Sequence, residues 1–209
     1  MLNGRCVVVT GASGNLGTVV SARLEREGAK VFGIDRAVAD VTDEAQVEKA
    51  YDAAVAKFGP LWGAVHTAGT WTGGLVAETS VATFEKMIAV NLRTTFLCCR
   101  AALRRMPSGG RIVNVAAYGP ATLTGIARNG AYAAAKAGVI ALTKAISQET
   151  AGVRANCVAP GTMRTPRNAA GMPGADQTGW IPLEDVAEGI AYLLGGSAPN
   201  GAVITFPSR

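Results

Sequence analysis

One doubly wound parallel sheet of the α/β class is predicted for this chain by three observations. Short β-branched runs alternate with segments of helical period from one end of the 209 residues to the other. The runs are apolar on both faces, as strands covered by helices on two sides must be. A glycine-rich turn joins the first run to the first helical segment. With 49% hydrophobic and 17% charged residues, the composition suits a single domain over 1–209 with a sizeable core.

Residues 5–10 form the first strand, and an amphipathic helix then runs to Glu27, where Gly28 stops it. Residues 30–34 make a second strand that ends at Asp35. Residues 42–58 are helical in period, opened by Thr42, Asp43 and Glu44 and closed by Gly59 and Pro60. Asp43 and Glu44 read as helix N-terminal charges. Further strands are expected near 61–66, 111–115, 153–158 and 202–206, with helices near 80–106, 131–150 and 183–194. The stretch 162–182 is rich in Gly, Pro and polar residues and has no period. A connection of that length is usually functional, so it is read as a lid over a site.

The net charge of +5 raises the question of nucleic acid, but the basic residues are dispersed and no basic run with interleaved aromatics appears. Arg104 and Arg105, the tightest pair, sit at a helix end where cations suit the dipole. Cys6, Cys98, Cys99 and Cys157 lack CxxC or metal-ligand spacing, so a reduced, cytoplasmic protein without a metal is expected. No apolar h-region or span of membrane length is seen, and the expected partner is a small-molecule substrate.

The turn Gly11, Ala12, Ser13, Gly14, Asn15, Leu16, Gly17 lets backbone N–H groups at a helix start approach a pyrophosphate. Asp35 follows about 20 residues on, where an acid accepts from a ribose 2′-OH and repels a 2′-phosphate. NAD(H) is therefore the expected cofactor, with NADP(H) second because Arg36 stands beside the acid. Tyr132 and Lys136, four apart on a helix, share a face. A cation there favours the phenolate, which predicts a lowered tyrosine pKa and acid/base chemistry on a carbonyl or imine. His66, the only histidine, is read as a hydrogen-bonded structural residue.

Further short motifs in order, Ala68-Gly69, Asn91, Asn114, Tyr132/Lys136 and Pro160-Gly161 with Thr165, make the chain similar to the short-chain dehydrogenases/reductases over almost its whole length. The resemblance implies a Rossmann-type sheet of six to seven strands in which the tyrosine protonates substrate while hydride leaves the nicotinamide. Lys136 would bind the nicotinamide ribose and tune Tyr132, and Asn91 would help hold a water relay. Asp40 and Val41 would touch the adenine; Ala68, Gly69, Pro160, Gly161, Thr162 and Thr165 would line the rest of the cofactor. The family's two long helices commonly pair across a two-fold axis, and Phe96, Leu97, Cys98, Cys99, Val139, Ile140 and Leu142 suggest the same here, as a homodimer or homotetramer.

Three departures stand against that pattern. Ala117 occupies the position of the usual catalytic serine, with Tyr118, Thr122 or Thr124 as replacement hydroxyls. The glycine spacing is commoner in an extended branch containing epimerases and dehydratases, whose extra domain has no room in this length. Asp40 follows Asp35 by only five positions, which implies a deleted helix and a stub third strand. Within the family the chain looks most like the dihydropteridine reductase group, on Ala68 to Gly74, Ala116-Ala117 and the 164–184 segment. Those enzymes also lack the serine and reduce a quinonoid ring with NADH. The expected function is an NAD(H)-dependent oxidoreductase acting on a small carbonyl or quinonoid compound, in the narrowest version pteridine-like, with Trp71 and Trp180 flanking a flat substrate. The alternatives are a catalytically weakened NAD-binding sensor or structural protein, and an NAD-dependent epimerase or dehydratase.

Overall fold

A computed structural model describes residues 2–208. Among them six strands form one parallel sheet in the order β2-β1-β3-β4-β5-β6. They are β1 (Cys6–Thr10), β2 (Lys30–Ile34), β3 (Leu61–His66), β4 (Arg111–Val115), β5 (Arg154–Pro160) and β6 (Val203–Phe206). Alternate residues of β1 serve opposite faces, as the twofold period of a strand requires. Val7 and Val9 pack with Val20 and Leu24 of α1 (Asn15–Arg26) and with Ile190 and Leu194 of α8 (Leu183–Leu194). Val8 packs in the other layer, with Tyr51 of α2 (Glu44–Phe58), Leu97 of α4 (Thr94–Leu103) and Ile146 of α6 (Gly130–Glu149). The order reverses direction between β1 and β3, and in such sheets that crevice at the strand C-termini is where ligands bind.

Three expectations are corrected. No third strand forms at Asp40-Val41: the Asp40 carboxylate accepts from Thr42 N at 2.9 Å and from Thr42 Oγ1 at 2.7 Å, which turns the chain directly into α2. Asp43, not Thr42, caps that helix, accepting from Gln46 N. The single helix expected near 80–106 is divided into α3 (Val81–Met87), a π-helical turn (Ile88–Arg93) and α4. The hydroxyls of Thr94 and Thr95 donate to the carbonyls of Val90 and Asn91, four residues back, and compete with the helical ladder where it widens. Two short helices complete the chain, α5 (Tyr118–Thr122) and α7 (Pro166–Gly171).

Arg104 and Arg105 do more than suit a dipole: they pair with Glu48 and Asp52 and fasten α4 to α2. Much of the apolar surplus named on the two long segments is used inside the chain, since Leu97, Cys98, Cys99 and Val139 are buried, whereas Phe96 is exposed, as are Val81 and Phe84 nearer the start of the first segment. Among the described residues no helix is long and apolar enough to cross a membrane.

One chain of neutral polar groups runs through the interior from α2 to α6. Tyr51 O–H meets His66 Nε2 at 2.9 Å, and His66 Nδ1 meets Asn114 Oδ1 at 2.7 Å. Asn114 Nδ2 donates to Thr143 Oγ1 at 2.9 Å, and Thr143 donates to Val139 O. Because the amide must accept from the ring, the proton sits on Nδ1, and Nε2 is the acceptor for Tyr51. His66 is thus the structural residue expected of it, and its burial pulls its pKa down to about 4. The unfolded chain, with a histidine near 6.5, binds this proton first, so the contribution is complete above about pH 6.5 and is lost as pH falls toward 4. Urea unfolding should show the native protein losing about 2 kcal/mol more between pH 7 and 4.5 than His66→Asn loses. Equal losses in the two proteins would contradict this account.

Candidate active site

β1 delivers Thr10 to the edge of the sheet, and Gly11 then turns with φ +69. A Cβ on Gly11 would lie 2.9 Å from Ala68 N, and one on Gly17 would lie 2.1 Å from Gly11 O, so only glycine closes this turn. Gly14 starts α1 with no side-chain cap, and the N–H groups of Asn15, Leu16 and Gly17 have no acceptor among the described residues. Ser13 lies exposed in the same turn. Open amides at a helix start beside a Cβ-free turn fit a dinucleotide's pyrophosphate. Asp35, at the end of β2, accepts from Ala37 N at 3.0 Å through Oδ1, so one oxygen caps a local turn and the other remains for a ligand. Arg36 beside it is exposed.

Across the crevice, the π-helical turn carries Asn91 into the interior, fully buried. Its Oδ1 accepts from Thr70 N at 3.1 Å, and its Nδ2 donates to Thr70 O and Met87 O, both at 3.0 Å. Both side-chain N–H groups are therefore engaged, and the carboxamide clamps the loop after β3. A Cβ on Gly69 would fall 2.8 Å from Asn91 Oδ1 and 3.4 Å from Lys136 Nζ. The glycine lets the loop, the amide and the ammonium share one small volume.

Lys136 is 5% exposed, and its Nζ donates to Val115 O, the last carbonyl of β4, at 2.7 Å. The ammonium lies 5.9 Å from the centre of the Tyr132 ring, on the shared face that the four-residue spacing predicts. The expected lowering of the tyrosine pKa is not found. Although part of Tyr132 faces the crevice, its walls desolvate the phenol and push it up to about 12, while burial pulls Lys136 down to about 8. At this separation burial outweighs the attraction of ammonium for phenolate.

Ala117 precedes α5 and is 9% exposed, with Tyr118 half-buried beside it. The Thr122 and Thr124 hydroxyls pair with each other at 2.7 Å in an exposed turn, so neither is a free replacement for a serine. Trp71 is 55% exposed, and its Nε1 donates to Asn129 Oδ1 at 2.8 Å, three residues before Tyr132. Trp180 is buried at the root of the 162–182 segment and packs there rather than flanking a substrate. At the end of β5, after Pro160, Gly161 N donates to Phe206 O and Thr162 N to Ser208 Oγ, while Thr165 caps α7 by accepting from Asn168 N. Three participants escaped the sequence reading. Thr70 and the Val115 carbonyl act through backbone atoms, and Arg167 reaches the site from 97 residues away, where Nη2 donates to Thr70 Oγ1 at 3.3 Å.

A dinucleotide cradle facing a tyrosine and a buried lysine at the C-terminal edge of a parallel sheet defines a nicotinamide-dependent oxidoreductase. A family model described as enoyl-(acyl carrier protein) reductase matches residues 2–197. The chain is 32% identical to a short-chain type dehydrogenase/reductase of Picea abies, over 92% of this chain and 86% of that one. It is 36% identical to the cis-4-hydroxycyclohexanecarboxylate dehydrogenase of Sinomonas cyclohexanicum, over 93% and 90%. The solved structure of ElxO with NADP bound superposes with a TM-score of 0.90 at 29% identity, covering 97% of this chain and 96% of that one. The chain belongs to the short-chain dehydrogenase/reductase family and is an NAD(P)-dependent oxidoreductase.

Proposed function

We propose that the protein transfers hydride between NAD(H) and a small carbonyl or quinonoid compound, with Tyr132 as the acid/base. The observation that carries this reading is the convergence of Lys136, Tyr132, Gly69 and Asn91 at the ends of β3 and β4. When bound, the dinucleotide supplies or accepts the hydride. Tyr132, protonated at neutral pH, gives its proton to the substrate oxygen as negative charge develops there in reduction, and takes it back in the reverse reaction. Lys136 uses one of its three N–H bonds on Val115 and has two left for the nicotinamide ribose, and its charge stabilises the phenolate left behind. Asn91 acts as a positioning residue through Thr70.

The turn Gly11 to Gly17 would hold the pyrophosphate, Asp35 the adenosine ribose, and Asp40 with Val41 the adenine edge. Ala68, Gly69, Pro160, Gly161, Thr162 and Thr165 would surround the rest. The free oxygen of Asp35 supports NAD(H) over NADP(H). On the substrate side, the exposed, tethered indole of Trp71 supports a flat or cyclic compound. Ala117, backed by Tyr118, suits one that needs no serine hydroxyl, such as a quinonoid, pteridine-like ring; the Sinomonas relative is named for a hydroxycyclohexanecarboxylate.

The 162–182 segment has the build of a lid, fastened at its root by the Met163–Ile181 bridge and buried Trp180, with α7 beyond. A groove between α4 and α6, lined by Phe96, Leu103 and Leu142 and rimmed by Arg100, Arg104 and Glu149, supports a homodimer or homotetramer. Four free, buried cysteines suit the reducing cytoplasm.

Calorimetry should find NADH bound more tightly than NADPH, with Asp35→Ala narrowing the gap; tighter NADPH in the unaltered protein would reassign the ribose site to Arg36. An NADH-oxidation screen against quinonoid pterins, quinones and cyclic ketones should give turnover that falls by roughly 10²- to 10⁴-fold in Tyr132→Phe while NADH affinity is kept. Turnover that survives the substitution would remove Tyr132 from the chemistry.

A further inference from the structure

At the mouth of the crevice stands the guanidinium of Arg167, with Arg128 in a neighbouring loop, and neither meets a carboxylate among the described residues. Arg167, in the first turn of α7, crosses from the 162–182 segment to the Thr70 hydroxyl. Thr70 is fixed through both its N–H and its carbonyl by Asn91, and it follows Gly69, which lies against Lys136 Nζ. Arg167 therefore ends one residue away from the catalytic floor. Arg128, exposed and four residues before Tyr132, takes left-handed backbone at φ 60, a conformation disfavoured for any residue with a Cβ. Its carbonyl accepts from Gly74 N at 2.6 Å, and its neighbour Asn129 holds the Trp71 indole. Among the described residues the ion pairs employ Arg23, Arg100, Arg104 and Arg105, and neither Arg128 nor Arg167 has a carboxylate within 4 Å. The lid's own acid, Asp176, is turned to Thr178 N.

A cation on a hydroxyl whose proton is still free to donate, next to an exposed indole and with a second arginine in the loop that holds that indole, makes a receptor for an anion carried on a ring. We infer that the substrate carries a carboxylate or comparable oxyanion, bound by Arg167 with Thr70, with Arg128 adding charge from the loop that holds Trp71. The anion would replace the Arg167–Thr70 contact as principal partner and so draw α7 over the crevice. This inference rests on reading the crevice as the substrate site, and it adds the substrate's charge to that reading.

The test compares 4-oxocyclohexanecarboxylate with the nearly isosteric, uncharged 4-oxocyclohexanecarboxamide, titrated into the enzyme–NADH complex of the full chain. The carboxylate should bind at least about tenfold more tightly, with the preference falling to within about threefold in Arg167→Gln, partly retained in Arg167→Lys, and reduced to a smaller extent in Arg128→Gln. NADH affinity should be the same in all four proteins. Equal binding of the two compounds, binding of neither, or a preference that survives Arg167→Gln would overturn the proposal. So would a parallel loss of NADH affinity, which would give Arg167 to the cofactor phosphates. Following NADH oxidation in the same samples separates the two layers. Equal turnover of both ketones keeps the carbonyl chemistry and removes the anion site, whereas carboxylate-selective binding without oxidation does the reverse.

Discussion

Lys136 carries a charge into the interior, and the described residues meet it with one direct partner, the Val115 carbonyl at 2.7 Å. Desolvating an ammonium is expensive, so each element that touches it has to sit where the charge is tolerated. Val115 ends β4, which requires α6 to cross the strand C-terminus with Lys136 above that carbonyl. Ala133 and Ala135, both buried, let the helix lie close. Gly69 clears the remaining side, and Asn91 holds the Gly69–Thr70 loop from a helix that widens into a π-turn to deliver it.

The second anchor of α6 lies farther along the same helix. Thr143 takes a hydrogen bond from Asn114, which in turn receives His66, and His66 receives Tyr51. These four side chains come from α6, β4, β3 and α2, so one chain of neutral groups ties the layer on that face to the sheet. A satisfied neutral network is stable in a low dielectric, whereas the same groups with a protonated ring would leave Tyr51 facing a donor. The catalytic helix is thus held at one end by a charge and at the other by amides and hydroxyls.

What was legible in the sequence was local. Strand runs, the glycine turn and the Tyr132–Lys136 spacing follow from twofold and 3.6-fold periods and from the requirement of close backbone approach, and the structure has them within a residue or two. What was missed depends on partners distant in the chain. The π-turn coincides with the Thr94 and Thr95 hydroxyls bonding back to Val90 and Asn91 and with the Asn91 clamp on Thr70, and where a third strand was expected the chain turns through Asp40 and Thr42 into α2. The direction of the Tyr132 shift is not legible in the sequence, because spacing reveals a neighbouring charge but not the burial that outweighs it. The two tryptophans show the same limit, since nothing local distinguishes the buried Trp180 from the exposed Trp71.

If the site is built around a desolvated ammonium, titration of the Lys136 side chain will show it. In protein labelled at lysine Nζ and Cε, nuclear magnetic resonance should show Lys136, assigned by its loss in Lys136→Met, titrating near pH 8 while the exposed lysines titrate near their ordinary value of about 10.4. A Lys136 that titrates with the exposed lysines would mean that the ammonium is solvated, and the arrangement of β4, α6, Gly69 and Asn91 around it would need another explanation.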